Sequence, residues 1–207
     1  IFNKLKKQQS TILQLPYLCF AKKETDMGIL FPDWTFVEAY KSQIKNDDGK
    51  TLSWNEQLEK IKEKSDDPKL IKKKEAFFQG GNTSVGEFKT NLRENFHKLA
   101  QTNDNIEIKF SDEGEPTSAL DWCEYRYLLD LFGAHPWSVR FKEVLATKSL
   151  VLKVDKDEPW INFYSCGLYP NEDYIQFIYR ETENYKKHIS ELNNSRRDKD
   201  EYTKKKV

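Results

Sequence analysis

Two short segments hold the side chains best suited to gripping an anion. In "KKEAFFQGGNTSVGEF", residues 73–88, Gly80 and Gly81 precede Asn82, Thr83 and Ser84. Glycine takes positive φ at little cost and lets a ligand approach the backbone, while the three polar residues add amide, hydroxyl and N–H groups. Ser84 and Glu87 make a Ser-x-x-Glu capping-box pair, and a helix N-terminus behind a glycine turn is an anion seat. In "DLFGAHPWSVRFKEVLA", residues 130–146, the chain turns at Gly133 and Pro136 and brings Ser138 and Arg140 into the first turn of a helix. A guanidinium is a fork of donors that fits a phosphate. Two such turns at the ends of strands in one sheet would converge on one diphosphate. Each also has an ordinary reading, as a βα connection and as a surface arginine, and residues 80–84 are neither a Walker loop nor a full GxGxxG.

Other candidates are weaker. Glu158, ahead of Trp160, would reach ribose hydroxyls or is a solvated acid of "DKDE". Asp33 in "FPDWTF" would face an acceptor cleft or is a turn aspartate after proline. Trp34, Trp54, Trp122, Trp137 and Trp160 offer sugar-stacking faces or plain packing. His135 sits in the second turn within reach of a phosphate, but with His97 and His188 it is too scattered for a metal site. Cys19, Cys123 and Cys166 are an odd, widely spaced set, which reads as plain thiols rather than a disulfide framework or a metal knuckle.

The scaffold under these groups follows from periodicity. The first fifty residues read as irregular and short-stranded, with "LPYLCFAKK" and "GILFPDWTF" as brief apolar runs broken by Pro16 and Pro32. "TLSWNEQLEKIKEKS" is an exposed amphipathic helix stopped at Asp66, Asp67 and Pro68. The Lys-rich run after it is helix-like, "AFFQ" is a short strand, and Phe88, Leu92, Phe96 and Leu99 form a helix stripe. "NIEIKF" alternates as a strand. "YRYLLDLFG", "WSVRFKEVLAT" and "SLVLKV" give strand, helix and strand, a βαβ unit with parallel strands. "DYIQFIYR" adds a strand and "TENYKKHISELNN" a helix. The class is therefore α/β with a mostly parallel sheet, which binds ligands beyond the carboxyl ends of its strands.

Composition narrows the partners. Lys plus Arg and Asp plus Glu both total 34 in 207 residues, so no global field draws the chain to nucleic acid, and its Lys runs lie on tails and helix ends. No apolar run approaches the ~20 residues of a membrane helix. The opening segment lacks signal-peptide character, and a start at Ile1 reads as part of something longer. Asn82-Thr83-Ser84 and Asn193-Asn194-Ser195 are glycosylation sequons; a glycan on Asn82 would fill the anion seat.

"ILFPDWTF", "AFFQGGNTS", "LDWCEYRYLLDLFGAHPWSVRFKEVLATKSLVLKV" and "EPWINFY", in this order, resemble the capsule-associated and protein O-glucosyltransferase family, glycosyltransferase family 90, from about Leu15 to about Tyr164. The resemblance implies a GT-B-like pair of Rossmann-type lobes, a UDP-sugar donor and no metal or other cofactor. It divides the chain into residues 1–70, an incomplete N-terminal, acceptor-side lobe with a linker helix; 71–194, the nucleotide-sugar lobe; and 195–207, a charged tail. It places the donor at Gly80, Gly81, Asn82, Thr83, Ser84, Ser138, Arg140 and Glu158, with a protein or glycan acceptor. Gln79 and Asn82 stand where family members often carry arginine, and the family's general base lies upstream of Ile1, so no residue here is assigned to catalysis. The implied activity is transfer of glucose or xylose to a hydroxyl. The alternative is a degenerate, non-catalytic binding or scaffold domain. The family implies the endoplasmic reticulum or Golgi lumen, and a viral or bacterial-type member the cytoplasm.

Overall fold

The computed structural model describes residues 17–36, 44–82, 91–111, 113, 117–133, 138–155, 160–165 and 167–179. The opening is short-stranded, as its proline-broken runs predict. Strands β1 (Leu18–Cys19), β2 (Ala21–Lys22) and β3 (Ile29–Leu30) have two residues each. β1 pairs with β3 in parallel, and β2 pairs antiparallel with β8 (Ile161–Asn162).

Helix α1 (Trp54–Asp66) begins at a complete capping box. Ser53 N donates to Glu56 Oε2 at 2.8 Å and Glu56 N to Ser53 Oγ at 3.5 Å, so two donors of the first turn are satisfied locally. The helix stops before Pro68, and it buries Ile61 completely. The Lys-rich run beyond it is not helical. From Lys73 onward the chain is extended, and strand β4 (Lys73–Gly80) takes in "KKE" as well as "AFFQG". Tertiary pairing overrides the helix preference of lysine and glutamate there, because Lys73 pairs with Tyr125 of β6 and donates from N to Glu124 O at 2.7 Å.

Helix α2 (Leu92–Ala100) follows, with Leu92 fully enclosed and Leu99 exposed; Phe88 of the expected stripe and the Ser84–Glu87 box lie outside the described residues. Strand β5 (Ile106–Phe110), the short helix α3 (Ala119–Trp122), β6 (Tyr125–Leu131), α4 (Val139–Ala146), β7 (Leu150–Asp155) and β9 (Ile175–Ile178) complete the chain order. The expected final helix and charged tail lie outside the described residues. Five strands form one sheet in the order β5-β4-β6-β7-β9, every pair parallel.

Both faces of this sheet are covered. Adjacent residues Phe77 and Phe78 are each fully enclosed, as are Leu128 and, nearly, Leu129, because successive strand side chains leave on opposite faces. On one face Phe77 and Leu128 join Ile61 of α1, Trp122 of α3 and Phe141 and Val144 of α4. On the other, Phe78 and Leu129 join Leu92 and Phe96 of α2. The result is a three-layer, Rossmann-like α/β arrangement.

Candidate functional site

Strand order selects one place at the sheet's carboxyl edge. From β4 the chain passes through α2 to β5 on one side, whereas from β6 it passes through α4 to β7 on the other. Adjacent strands whose connections leave in opposite directions open a crevice outside their carboxyl ends, the usual ligand position in such sheets. The crevice here lies between the ends of β4, at Gly80, and β6, at Leu131.

The described parts of both sequence-selected turns meet there. Arg140, second residue of α4, reaches across to β4 and donates from Nη1 to Gln79 O at 3.1 Å. Its guanidinium lies 4.7 Å from the Phe78 ring centroid and 4.9 Å from that of Trp122, so Trp122 is a packing and cation–π partner. Nε and Nη2 of Arg140 are closed off from solvent without a hydrogen-bond partner among the described residues. Desolvation lowers the Arg140 pKa to about 10, against the pull of Asp130. It stays charged at neutral pH.

Ser138 is the N-cap of α4. Its Oγ accepts from Phe141 N at 3.1 Å and donates to Asp130 Oδ1 at 3.3 Å, while its carbonyl accepts from the Tyr164 hydroxyl. The proton of the Ser138 hydroxyl is therefore directed at Asp130, and a phosphate contact requires it to rotate. Asp130, at the end of β6, is buried, and desolvation holds its carboxyl above the ordinary range although Lys153 and Arg140 pull it down.

Positive φ is not what Gly80 and Gly81 supply. Neither adopts positive φ; the described glycines that do are Gly49 and Gly167. Gly80 is needed for space, since a Cβ there would stand 2.7 Å from the Phe78 ring and 3.4 Å from Arg93 Nη1. A Cβ on Gly81 would meet open space among the described residues. Asn82 is exposed next to it. Thr83, Ser84, Glu158, His135, Trp137, Cys166 and His188 lie outside the described residues. Gln79 is buried and accepts from Thr117 N at 2.8 Å, which ties β4 to the start of α3.

The structure also brings in a residue that local patterns pass over. Arg93, in the first turn of α2, donates from Nη1 to Gly81 O at 2.6 Å and from Nη2 to Leu131 O at 2.7 Å, bridging the ends of β4 and β6. A Cβ on Gly133 would stand 2.7 Å from its Nη2. No local signal marks Arg93, because a charged residue in a helix's first turn is ordinary until the strand order is known. Glycines at both strand ends are the one available clue.

Asp33 does not face a cleft. It is buried, its Oδ1 accepts from Thr35 N at 2.8 Å, and it stands 3.6 Å from Lys142 Nζ of α4. The turn reading holds for it, with a buried ion pair added. Trp34 is exposed, while Trp54 lies 4.9 Å from Lys142 Nζ in a packing role. His97 lies 3.5 Å from Glu113 Oε2 and against Phe110. Cys123 is a buried thiol. Among the described residues no three His, Cys, Asp or Glu side chains are grouped to hold a metal ion, and no helix is long and apolar enough to cross a membrane.

A parallel, doubly covered sheet with two guanidiniums gathered at its switch point defines a Rossmann-like α/β protein. The glycosyl transferase family 90 model matches residues 2–204, and the chain belongs to that family. It is also similar to the O-glucosyltransferase rumi homolog of Aedes aegypti, 29% identical over 175 residues, which cover 78% of this chain and 42% of that protein. The chain thus spans less than half the length of this relative.

Proposed function

We propose that the chain is the nucleotide-sugar side of a glycosyltransferase that moves glucose or xylose from a UDP-sugar to a hydroxyl of a protein or glycan acceptor. The observation that carries this reading is the meeting of Arg140 with the end of β4 at the β4/β6 crevice, in a chain of family 90. The name of the mosquito relative, an O-glucosyltransferase, supports the sugar and the oxygen acceptor.

The donor diphosphate would sit against Gly80, Gly81, Asn82, Thr83, Ser84, Ser138 and Arg140, with Glu158 at the ribose. In the transfer the acceptor oxygen bonds to the anomeric carbon as the bond from that carbon to the diphosphate breaks. The acceptor proton passes to a carboxylate, and UDP leaves carrying the new negative charge. Preorganised donors at that charge, Arg140 first among them, are the catalytic contribution assigned to this chain.

A second reading, a donor-binding module without transfer, is favoured by one observation: the carboxylate at the crevice, Asp130, is already engaged by Ser138, as is Asp155 at the end of β7 by Lys153 and Gln176. Calorimetry with UDP and a hydrolysis assay with UDP-glucose and UDP-xylose test both. Arg140→Ala is expected to abolish or severely weaken UDP binding, with a loss of about 3 kcal/mol at the barrier where turnover is measured; unchanged UDP affinity defeats the donor-site assignment. UDP binding without any hydrolysis or transfer selects the module.

A further inference from the structure

We infer that Arg93 is a second guanidinium ligand of the diphosphate at the β4/β6 crevice, supplied by α2 rather than by either turn; this rests on the donor-site reading above. Arg93 and Arg140 come from helices on opposite faces of the sheet, yet both approach one ring, at 5.0 and 4.7 Å from the Phe78 centroid. Both residues are half-buried, with Nε of each and Nη2 of Arg140 covered. Desolvation lowers Arg93 to about 10, and its charge adds to the lowering of Arg140.

Neither forms a salt bridge with a described carboxylate, and Nε of Arg93 joins Nε and Nη2 of Arg140 as covered donors without a partner among the described residues. The charged groups around them are Asp130, which accepts a hydrogen bond from Ser138, Glu143 beside Arg140, and Lys153 near Asp130. Buried cations are ordinarily paired, and covered donors ordinarily bonded. Two like charges held together with unpartnered donors at the ends of β4 and β6 therefore match a dianionic ligand that binds between them, and a diphosphate has the charge and the oxygens to do so.

The local packing makes room for Arg93 in particular. Gly133 lacks the Cβ that would stand 2.7 Å from its guanidinium, and Gly80 lacks the one that would press on the Phe78 ring beneath it. Its two carbonyl bonds use two of five N–H donors. They fix the fork in place before any ligand arrives, so little side-chain entropy is lost on binding.

The test compares UDP with uridine, which lacks the phosphates, on wild type, Arg93→Gln, Arg93→Lys and Arg140→Ala, with thermal unfolding of each variant. Arg93→Gln is expected to weaken UDP by about tenfold or more while uridine affinity is unchanged, and to flatten the dependence of UDP affinity on salt. Arg93→Lys is expected to restore part of the UDP affinity, since it keeps the charge. Equal losses for UDP and uridine, or UDP affinity within about twofold of wild type, overturn the inference and leave Arg93 a brace. If Arg93→Gln does not fold, Arg93→Lys and Gly133→Ala, which displaces the guanidinium without removing it, carry the same UDP-against-uridine comparison. Loss in Arg140→Ala with none at Arg93 overturns this inference alone, whereas no UDP binding by wild type, or none lost in Arg140→Ala, removes the donor-site reading itself.

Discussion

For single residues, burial decides what each charge does. Lys142 is enclosed with Asp33 3.6 Å away, donates to Thr35 Oγ1, and lies 3.8 Å from the Phe36 ring centroid. Burial pushes its ammonium below the usual lysine range and Asp33 draws it back. Removing one member of a buried pair leaves the other uncompensated, so Lys142→Met is expected to cost about 3–5 kcal/mol in urea unfolding. Asp33→Asn combined with it should recover part of that loss; a double variant as unstable as the sum of both singles would remove the coupling. The pair is only partly legible in the chain. "FPDWTF" announces a turn aspartate, but nothing local to Asp33 names a lysine far along the sequence, and lysine on a helix defaults to solvent.

For whole elements, local rules and register account for most of the agreement between pattern and fold. The amphipathic helix of "TLSWNEQLEKIKEKS", the apolar alternation of β5 and the strand–helix–strand run from Tyr125 to Asp155 all form where their patterns place them. β4 reads too short at its start, since its lysines favour a helix in isolation and pairing with β6 at Lys73 makes them strand. Ser138 illustrates a residue with two uses. As N-cap it satisfies Phe141 N, and Ser138→Ala should lower stability by about 1 kcal/mol. Measured by chemical unfolding beside Ser138→Thr, which can still cap, an equal loss in both would show that the cap contributes nothing. The two glycines at the end of β4 read as residues that turn the chain, yet Gly80 acts through the space it leaves, which no single-residue preference reveals.

Across the molecule, the parallel sheet is the stable body and residues 17–36 form a lighter attachment. β4, β6 and β7 hold fully or almost fully enclosed side chains, among them Phe77, Phe78, Leu128 and Val151, whereas Leu18 and Ile29 in the two-residue strands are 69% and 53% exposed. Amide hydrogen exchange is expected to be slowest in β4, β6 and β7 and fastest in β1–β3; equal protection across both would mean that the attachment opens only with the sheet. Short-range signals are enough for the α/β class, the parallel strands and the two segments that carry Gly80, Gly81, Ser138 and Arg140, because periodicity, caps and βαβ spacing act over a few residues. They leave open that β4 lies between β5 and β6, that the switch point falls between β4 and β6, and that Arg93 joins Arg140 there, and the folded chain supplies all three. Strand order and the placing of buried charges depend on contacts between residues far apart in the chain, and no short-range pattern encodes them.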